Sequence, residues 1–285
     1  MYVAFVTGAN SGMGFEIVNR LAKRKDFSVI AGFRSEERSK SLLDMEKSTD
    51  NLYAIKCDVN DSESLDAVFA HIKAKFNKLD VLINNAGYGY VAHIEYTQEQ
   101  HVFEQFNTNV FGPIRCIKLA IPLMRNAGRG HIINITSFLG KMGLPYLSVY
   151  NASKYALEGL TESLRYELSM FNIKVSSIAP GLHKTGFANN GAVVQQPSNE
   201  SYYQNKDKDF VSKVVNSINS GSNPKQIADA IDHLLSTSTN VATTLVGEDA
   251  VHLLNMRNEL TFCDFERHVS TLFEIEYPTN VGFTF

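Results

Sequence analysis

The stretch TGANSGMG, residues 7–14, follows the apolar run YVAFVT (2–7) at the very start of the chain. Gly8, Gly12 and Gly14 stand between that run and the first segment of helical period. Glycine permits positive φ and lets another group approach the backbone closely. A helix that starts here offers unpaired N–H groups and the positive end of its dipole. The stretch therefore reads as a cradle for the pyrophosphate of a dinucleotide. An ordinary glycine-rich turn is the alternative, and the glycines alone leave it open.

The rest of the chain decides how that turn is embedded. Further apolar runs occur at 27–33, 52–59, 79–85, 131–137, 173–180 and 242–247. Most are rich in Val and Ile and apolar on both faces, as in a parallel sheet covered by helices on both sides. Helical-period segments lie at 12–25, 36–48, 61–77, 99–127, 148–171 and 224–237. Such alternation predicts an α/β fold of Rossmann type: one doubly wound, mainly parallel seven-stranded sheet flanked by helices. Residues 1–285 read as a single domain. The polar excursion from Leu182 to Asn223 leaves the carboxyl end of the strand at 173–180, where open α/β sheets bind ligands, and reads as a substrate lid. Residues 248–285 form a C-terminal extension.

Composition narrows the function. The chain has 285 residues, 44% of them hydrophobic and 20% charged, enough for one large core. A net charge of −3 supplies no field for nucleic acid or an anionic membrane. Cys57, Cys116 and Cys263 lie far apart and form no CxxC pair, and the eight histidines are scattered, so no metal is expected. No leader of signal-peptide form and no run of 18 apolar residues occurs, so a cytoplasmic protein is expected.

The glycine spacing is T-G-x3-G-x-G rather than G-x-G-x-x-G. It resembles the fingerprint of the short-chain dehydrogenase/reductase family, in its compact single-domain branch. Asn84-Asn85-Ala86-Gly87 at the end of the fourth run, Asn109 in FNTNVFG, Ser137, Tyr150-Asn-Ala-Ser-Lys154, and Pro180-Gly181 with Thr185 appear in the family's order and spacing. Tyr150 and Lys154, four apart, share one helix face. A phenol with a pKa near ~10 needs help to act near neutrality, and a cation beside it favours the phenolate. Lys154 is expected to supply that charge.

The resemblance implies four catalytic residues. Tyr150 is the acid for carbonyl reduction and the base for alcohol oxidation. Ser137 bonds the substrate oxygen, Lys154 also grips the nicotinamide ribose, and Asn109 holds a water that links Lys154 to solvent. It implies a dinucleotide lying along Gly8, Asn10, Ser11, Gly12, Met13, Gly14, Asp58, Val59, Asn85, Ala86, Gly87, Pro180, Gly181 and Thr185. Asp58 matches the position that bonds the adenine amino group. Asp61 is the better cap for the helix at 61–77, which leaves Asp58 free.

Binders of the unphosphorylated dinucleotide place Asp or Glu after the second strand. Here that strand ends in Ala31-Gly32-Phe33-Arg34-Ser35, and the Arg34 guanidinium can clamp a 2′-phosphate, with Arg38 one turn on. The expected cofactor is NADP(H), although Asn10 and Ser11 stand where many members carry a second basic residue.

LINNAGYG, YNASKYALEGLTESLRYEL and PGLHKTGF resemble the branch of 17β-hydroxysteroid and retinol-type dehydrogenases, which implies a hydrophobic alcohol or ketone. Tyr88, Tyr90, Phe138, Leu139, Met142, Leu144, His183 and Phe187 are candidates for the pocket lining or for local packing. The segments FGPIRCIKLAIPLMRNAG and YNASKYALEGLTESLRYEL resemble the helices through which the family dimerises. The stripe Leu157, Leu160, Leu164, Leu168 faces either the chain's own sheet or a partner, and a homodimer or homotetramer is expected. A catalytically silent dinucleotide sensor would need only the glycine loop and Arg34. A sugar-nucleotide epimerase of the longer branch would need a larger C-terminal domain.

Overall fold

The computed structural model describes residues 1–184, 192–194 and 220–274. Seven strands form the main sheet: β1 (Tyr2–Val6), β2 (Phe27–Phe33), β3 (Leu52–Lys56), β4 (Val81–Asn84), β6 (Gly130–Ile135), β7 (Ile173–Pro180) and β9 (Thr243–Val246). Their order is β3-β2-β1-β4-β6-β7-β9, and every pairing is parallel. The order reverses between β1 and β4, so a crevice opens at their carboxyl ends. Two short strands that the sequence reading did not expect, β5 (Gly89–Val91) and β8 (Ala192–Val194), pair in parallel beside it.

The helices are α1 (Gly12–Ala22), α2 (Lys40–Lys47), α3 (Ser62–Phe76), α4 (Glu99–Phe106), α5 (Gly112–Ala127), α6 (Ser148–Ser169), α7 (Lys225–Ser236), α8 (Glu248–Glu259) and α9 (Phe262–Phe273). Ile17 and Leu21 of α1 and Ile227 and Ile231 of α7 pack on one face of the sheet. Val68 and Ile72 of α3, Ile117 of α5 and Leu164 of α6 pack on the other. Each such side chain contributes about 1.5–3 kcal/mol by leaving water. Leu164 and Leu168 of the α6 leucine stripe belong to this core, Leu160 is partly buried against the same cluster, and Leu157 is buried. Exposed large apolar side chains of α4, the turn Asn107–Phe111 and α6 include Phe103, Phe111, Tyr155 and Tyr166.

The segment 99–127 is not one helix. Residues Asn107–Phe111 form a π-helical turn between α4 and α5. A π turn is a single wide turn inside otherwise α-helical chain, so the helical signal continues on both sides of it. The extension after 248 contributes α8 and α9, whose Leu254, Phe265 and Val269 pack with Phe138, Leu139, Met142 and Leu144.

At the opposite rim, Asp80 is buried and accepts hydrogen bonds from the Val3 N–H (2.8 Å) and from Arg129 Nε (3.0 Å), with Lys78 Nζ at 3.1 Å. Asp80→Ala leaves the Val3 donor unpaired. The expected cost is about 1–3 kcal/mol, read by urea denaturation.

Candidate active site

The glycine loop is built from β1 outward. Thr7 Oγ1 accepts from the N–H groups of Asn85 (3.1 Å) and Ala86 (3.0 Å). Asn85 Nδ2 donates to the carbonyls of Thr7 (2.9 Å) and Gly8 (3.0 Å). The loop is thus stapled to the end of β4. Gly8 has φ 64°, and a Cβ there would lie 2.9 Å from Ala86 Cα. A Cβ on Gly14 would strike the Gly8 carbonyl oxygen and come within 2.5 Å of Asn85 Nδ2. Both glycines are therefore required by the protein's own close packing, a reason the sequence reading assigned to a ligand.

What remains for an anion is the start of α1. Ser11 precedes it without a side-chain cap, and the first turn holds no acidic residue. Its leading N–H groups are free of side-chain acceptors, which fits a diphosphate. Asn10 turns away and donates to the Arg38 carbonyl (3.3 Å), tying this loop to the one after β2. The side chain of Met13 packs on the core.

Arg34 is exposed at the carboxyl end of β2, and its charge acts on the Tyr88 hydroxyl, which burial pushes up to about 12. Asp58 Oδ1 accepts from the Asn60 N–H (2.9 Å). Asp61 caps α3, accepting from the Glu63 and Ser64 N–H groups at 3.0 and 3.4 Å, as expected. Val59 follows Asp58 and precedes α3. Its side chain is buried, tight against Gly112, and its carbonyl accepts from Arg115 (3.2 Å).

The four candidate catalytic residues converge. Ser137 lies two residues beyond β6, and its Oγ accepts from the Leu139 N–H (3.1 Å). The Ser137 hydroxyl lies beside the Tyr150 phenol and opposes the rise of its pKa. Lys154 lies one turn beyond Tyr150, with Nζ 5.7 Å from the centre of the Tyr150 ring and donating to the Ile135 carbonyl at 2.9 Å. Asn109 sits in the π turn, buried. Its Oδ1 accepts from the Tyr88 N–H (3.1 Å), and its Nδ2 donates to the Tyr88 carbonyl (3.0 Å) and Ser153 Oγ (3.1 Å). A Cβ on Gly87 would lie 3.1 Å from Asn109 Oδ1 and 3.8 Å from Lys154 Nζ, so Gly87 lets the two approach.

Burial governs the protonation of this cluster. It pushes the Tyr150 phenol up to about 12, with Ser137 opposing. It pushes Lys154 down to about 8, with the Glu158 charge opposing. Desolvation is the largest influence on the phenol. At neutral pH the pair is a neutral phenol beside an ammonium.

Pro180 ends β7. The Gly181 N–H donates to the Val246 carbonyl (2.8 Å), and the Leu182 N–H donates to Asp249 Oδ2 (2.6 Å). His183 is buried, with Nδ1 3.1 Å from the Gly181 carbonyl oxygen. Thr185, Phe187 and most of the lid at 182–223 lie outside the described residues. Of the candidate lining residues, Tyr90 stacks on His101 at 5.2 Å, while Phe138, Leu139, Met142 and Leu144 form an apolar cluster that includes Tyr150.

The sequence reading missed several contributors. Gln105 is fully buried and donates to the Tyr88 carbonyl (2.8 Å). Asp249 holds the loop after β7. Tyr146, at φ 61°, packs edge-on against His93 with centroids 4.4 Å apart. Thr7 alone was inside a quoted motif; nothing in the spacing of the others marks them.

The model of the family described as short chain dehydrogenase matches residues 2–193. The chain belongs to the short-chain dehydrogenase family. It is an oxidoreductase of the kind that acts on CH–OH groups. Among curated relatives, 3-ketodihydrosphingosine reductase of Bacteroides thetaiotaomicron is 32% identical over 86% of this chain and 87% of its own length. Human retinol dehydrogenase 8 is 32% identical over 82% and 77%. A solved short-chain dehydrogenase from Streptomyces avermitilis superposes with a TM-score of 0.81 at 33% identity, covering 96% of this chain and 97% of that one. The structure of ElxO with NADP bound superposes at 0.69 and 27% identity, covering 86% and 97%. Among the described residues no helix is long and apolar enough to cross a membrane, and no cluster of His, Cys, Asp and Glu is arranged to hold a metal.

The packing of the glycine loop gives a direct test. Gly14→Ala must displace the Gly8 carbonyl or the Asn85 amide and lowers the thermal midpoint. Gly159→Ala, at an α6 position with nothing within 4 Å of the added methyl, raises stability by about 0.5–1 kcal/mol.

Proposed function

We propose that this short-chain dehydrogenase interconverts a carbonyl and an alcohol on a hydrophobic substrate, with NADP(H) as cofactor. The observation that carries the reading is the convergence of Ser137, Tyr150 and Lys154, with Lys154 Nζ 5.7 Å from the Tyr150 ring centre and bonded to the Ile135 carbonyl. The bound dinucleotide supplies or accepts the hydride. Ser137 and Tyr150 present two hydroxyls to one substrate oxygen, which orients the carbonyl. Tyr150, protonated at neutral pH, donates its proton to that oxygen as reduction proceeds and takes it back in oxidation. The Lys154 charge stabilises the phenolate left behind, and its ammonium is the group placed to hold ribose hydroxyls. Asn109 fixes Tyr88 and Ser153 beside it.

The start of α1, Arg34, Asp58 and the turn Ala86-Gly87 would hold the dinucleotide, with Arg34 as the phosphate clamp. The name of the NADP-bound neighbour supports that choice. The apolar cluster around Tyr150 supports a hydrophobic substrate, as do the names of the sphingosine and retinol relatives. The exposed aromatic residues of α4, the π turn and α6 support a homodimer or homotetramer. A single domain and a cytoplasmic location belong to the same proposal.

The reading is tested by NADPH oxidation against a panel of long-chain ketones, retinoids and steroids. Tyr150→Phe is expected to abolish turnover and leave dinucleotide binding nearly unchanged; full turnover in that variant overturns the reading. Because Lys154 loses its proton near pH 8, kcat/KM for reduction is flat below that pH and falls above it. Tyr150 stays protonated across this range and adds no limb. Arg34→Leu raises KM for NADPH by about 10-fold or more, consistent with loss of a charge-assisted bond, and leaves KM for NADH unchanged.

A further inference from the structure

Glu158 lies one turn beyond Lys154 on α6, its side chain 12% exposed. Its Oε1 accepts from Thr136 Oγ1 at 2.5 Å, and its Oε2 accepts from Ser177 Oγ on β7 at 3.1 Å and from Lys141 Nζ at 3.1 Å. Two consecutive residues at the end of β6 are thus each held by one residue of α6, four positions apart. Lys154 holds the Ile135 carbonyl and Glu158 holds Thr136, while Tyr150, one turn before Lys154, lies beside Ser137. Such a ladder fixes both the axial position and the rotation of α6 against the strand. Gly140 allows it, since a Cβ there would lie 2.9 Å from the Lys154 carbonyl and 3.0 Å from Glu158 Cγ.

We propose that Glu158 is a positioning residue for the reaction: it locks the Tyr150–Lys154 face of α6 in register with Ser137. The inference rests on the catalytic reading given above. The charged and titratable groups facing this cluster are Tyr150 and Lys154 on α6 and Lys141 after β6. Asn109, Thr136 and Ser177 add neutral polar contacts. A carboxylate in this place favours the ammonium against desolvation, and its bonds to two strands resist a slide of the helix that would separate the two hydroxyls.

The test compares Glu158→Gln, Glu158→Asp and Thr136→Val with the wild type in NADPH-dependent reduction. Glu158→Gln is expected to lower kcat about 10- to 100-fold, the scale of a small misplacement of reacting groups, and to move the alkaline limb of kcat/KM to lower pH. Glu158→Asp keeps the charge and returns the limb toward its wild-type position with only partial recovery of kcat. Thr136→Val frees the carboxylate from β6 without removing its charge, so kcat falls while the limb stays. A Glu158→Gln enzyme that loses thermal stability but keeps the wild-type limb and kcat reduces Glu158 to a structural residue and overturns the proposal. If that variant does not fold, Thr136→Val decides: unchanged kcat overturns the proposal. Full turnover in Tyr150→Phe or Lys154→Ala overturns the catalytic reading instead, whatever Glu158 does.

Discussion

A lysine ammonium buried at the end of β6 is the constraint on which the site depends. Lys154 is nearly inaccessible to solvent, and the bond that holds Nζ in the fold is to a main-chain carbonyl, Ile135. Burying a charge that way is unfavourable, and the downward shift of its pKa expresses the cost. The protein offsets it with the Glu158 carboxylate, the Ile135 carbonyl and the face of the Tyr150 ring. Strain at one place held by supporting bonds around it is a common mark of a functional site.

The surrounding architecture holds that cation in place. The π turn at Asn107–Phe111 puts Asn109 where its amide can grip both ends of the Tyr88 peptide unit and Ser153 at once. Gln105, one turn earlier, grips the same Tyr88 carbonyl. The segment after β4 is therefore pinned from one side by α4 and the π turn. From the other side Thr7 and Asn85 staple it to the glycine loop. A dinucleotide lying across these carboxyl ends would meet a surface already rigid before it arrives, which lowers the ordering cost of binding.

Much of this was legible in the sequence. The Val- and Ile-rich runs marked the seven strands and the two-sided burial of the central ones, and Asn60-Asp61-Ser62 marked the cap of α3. The four-residue spacing of Tyr150 and Lys154 put them on one face. Other features left no such trace. The helical signal of 99–127 continues on both sides of the π turn. β5 and β8 are three residues each, too short for alternation to show. Gly8 and Gly14 carry a motif, yet their cause is contact with Ala86, Asn85 and each other, visible only in three dimensions. Adjacency of Lys154 to Tyr150 can be read from spacing, whereas the desolvation that pushes the phenol up cannot. Glu158 looked like one more charge on a long helix, and only the fold shows both of its oxygens occupied.

The central claim is that Ser137, Tyr150 and Lys154 form one surface facing a nicotinamide whose diphosphate rests at the start of α1. A crystal structure with NADPH bound tests it most directly. The account requires the ring beside the Tyr150 hydroxyl, ribose hydroxyls within hydrogen-bond distance of Lys154 Nζ, the diphosphate on the N–H groups that open α1, and the adenosine phosphate at Arg34. Density for the dinucleotide elsewhere, or a ring out of reach of Tyr150 and Ser137, contradicts it.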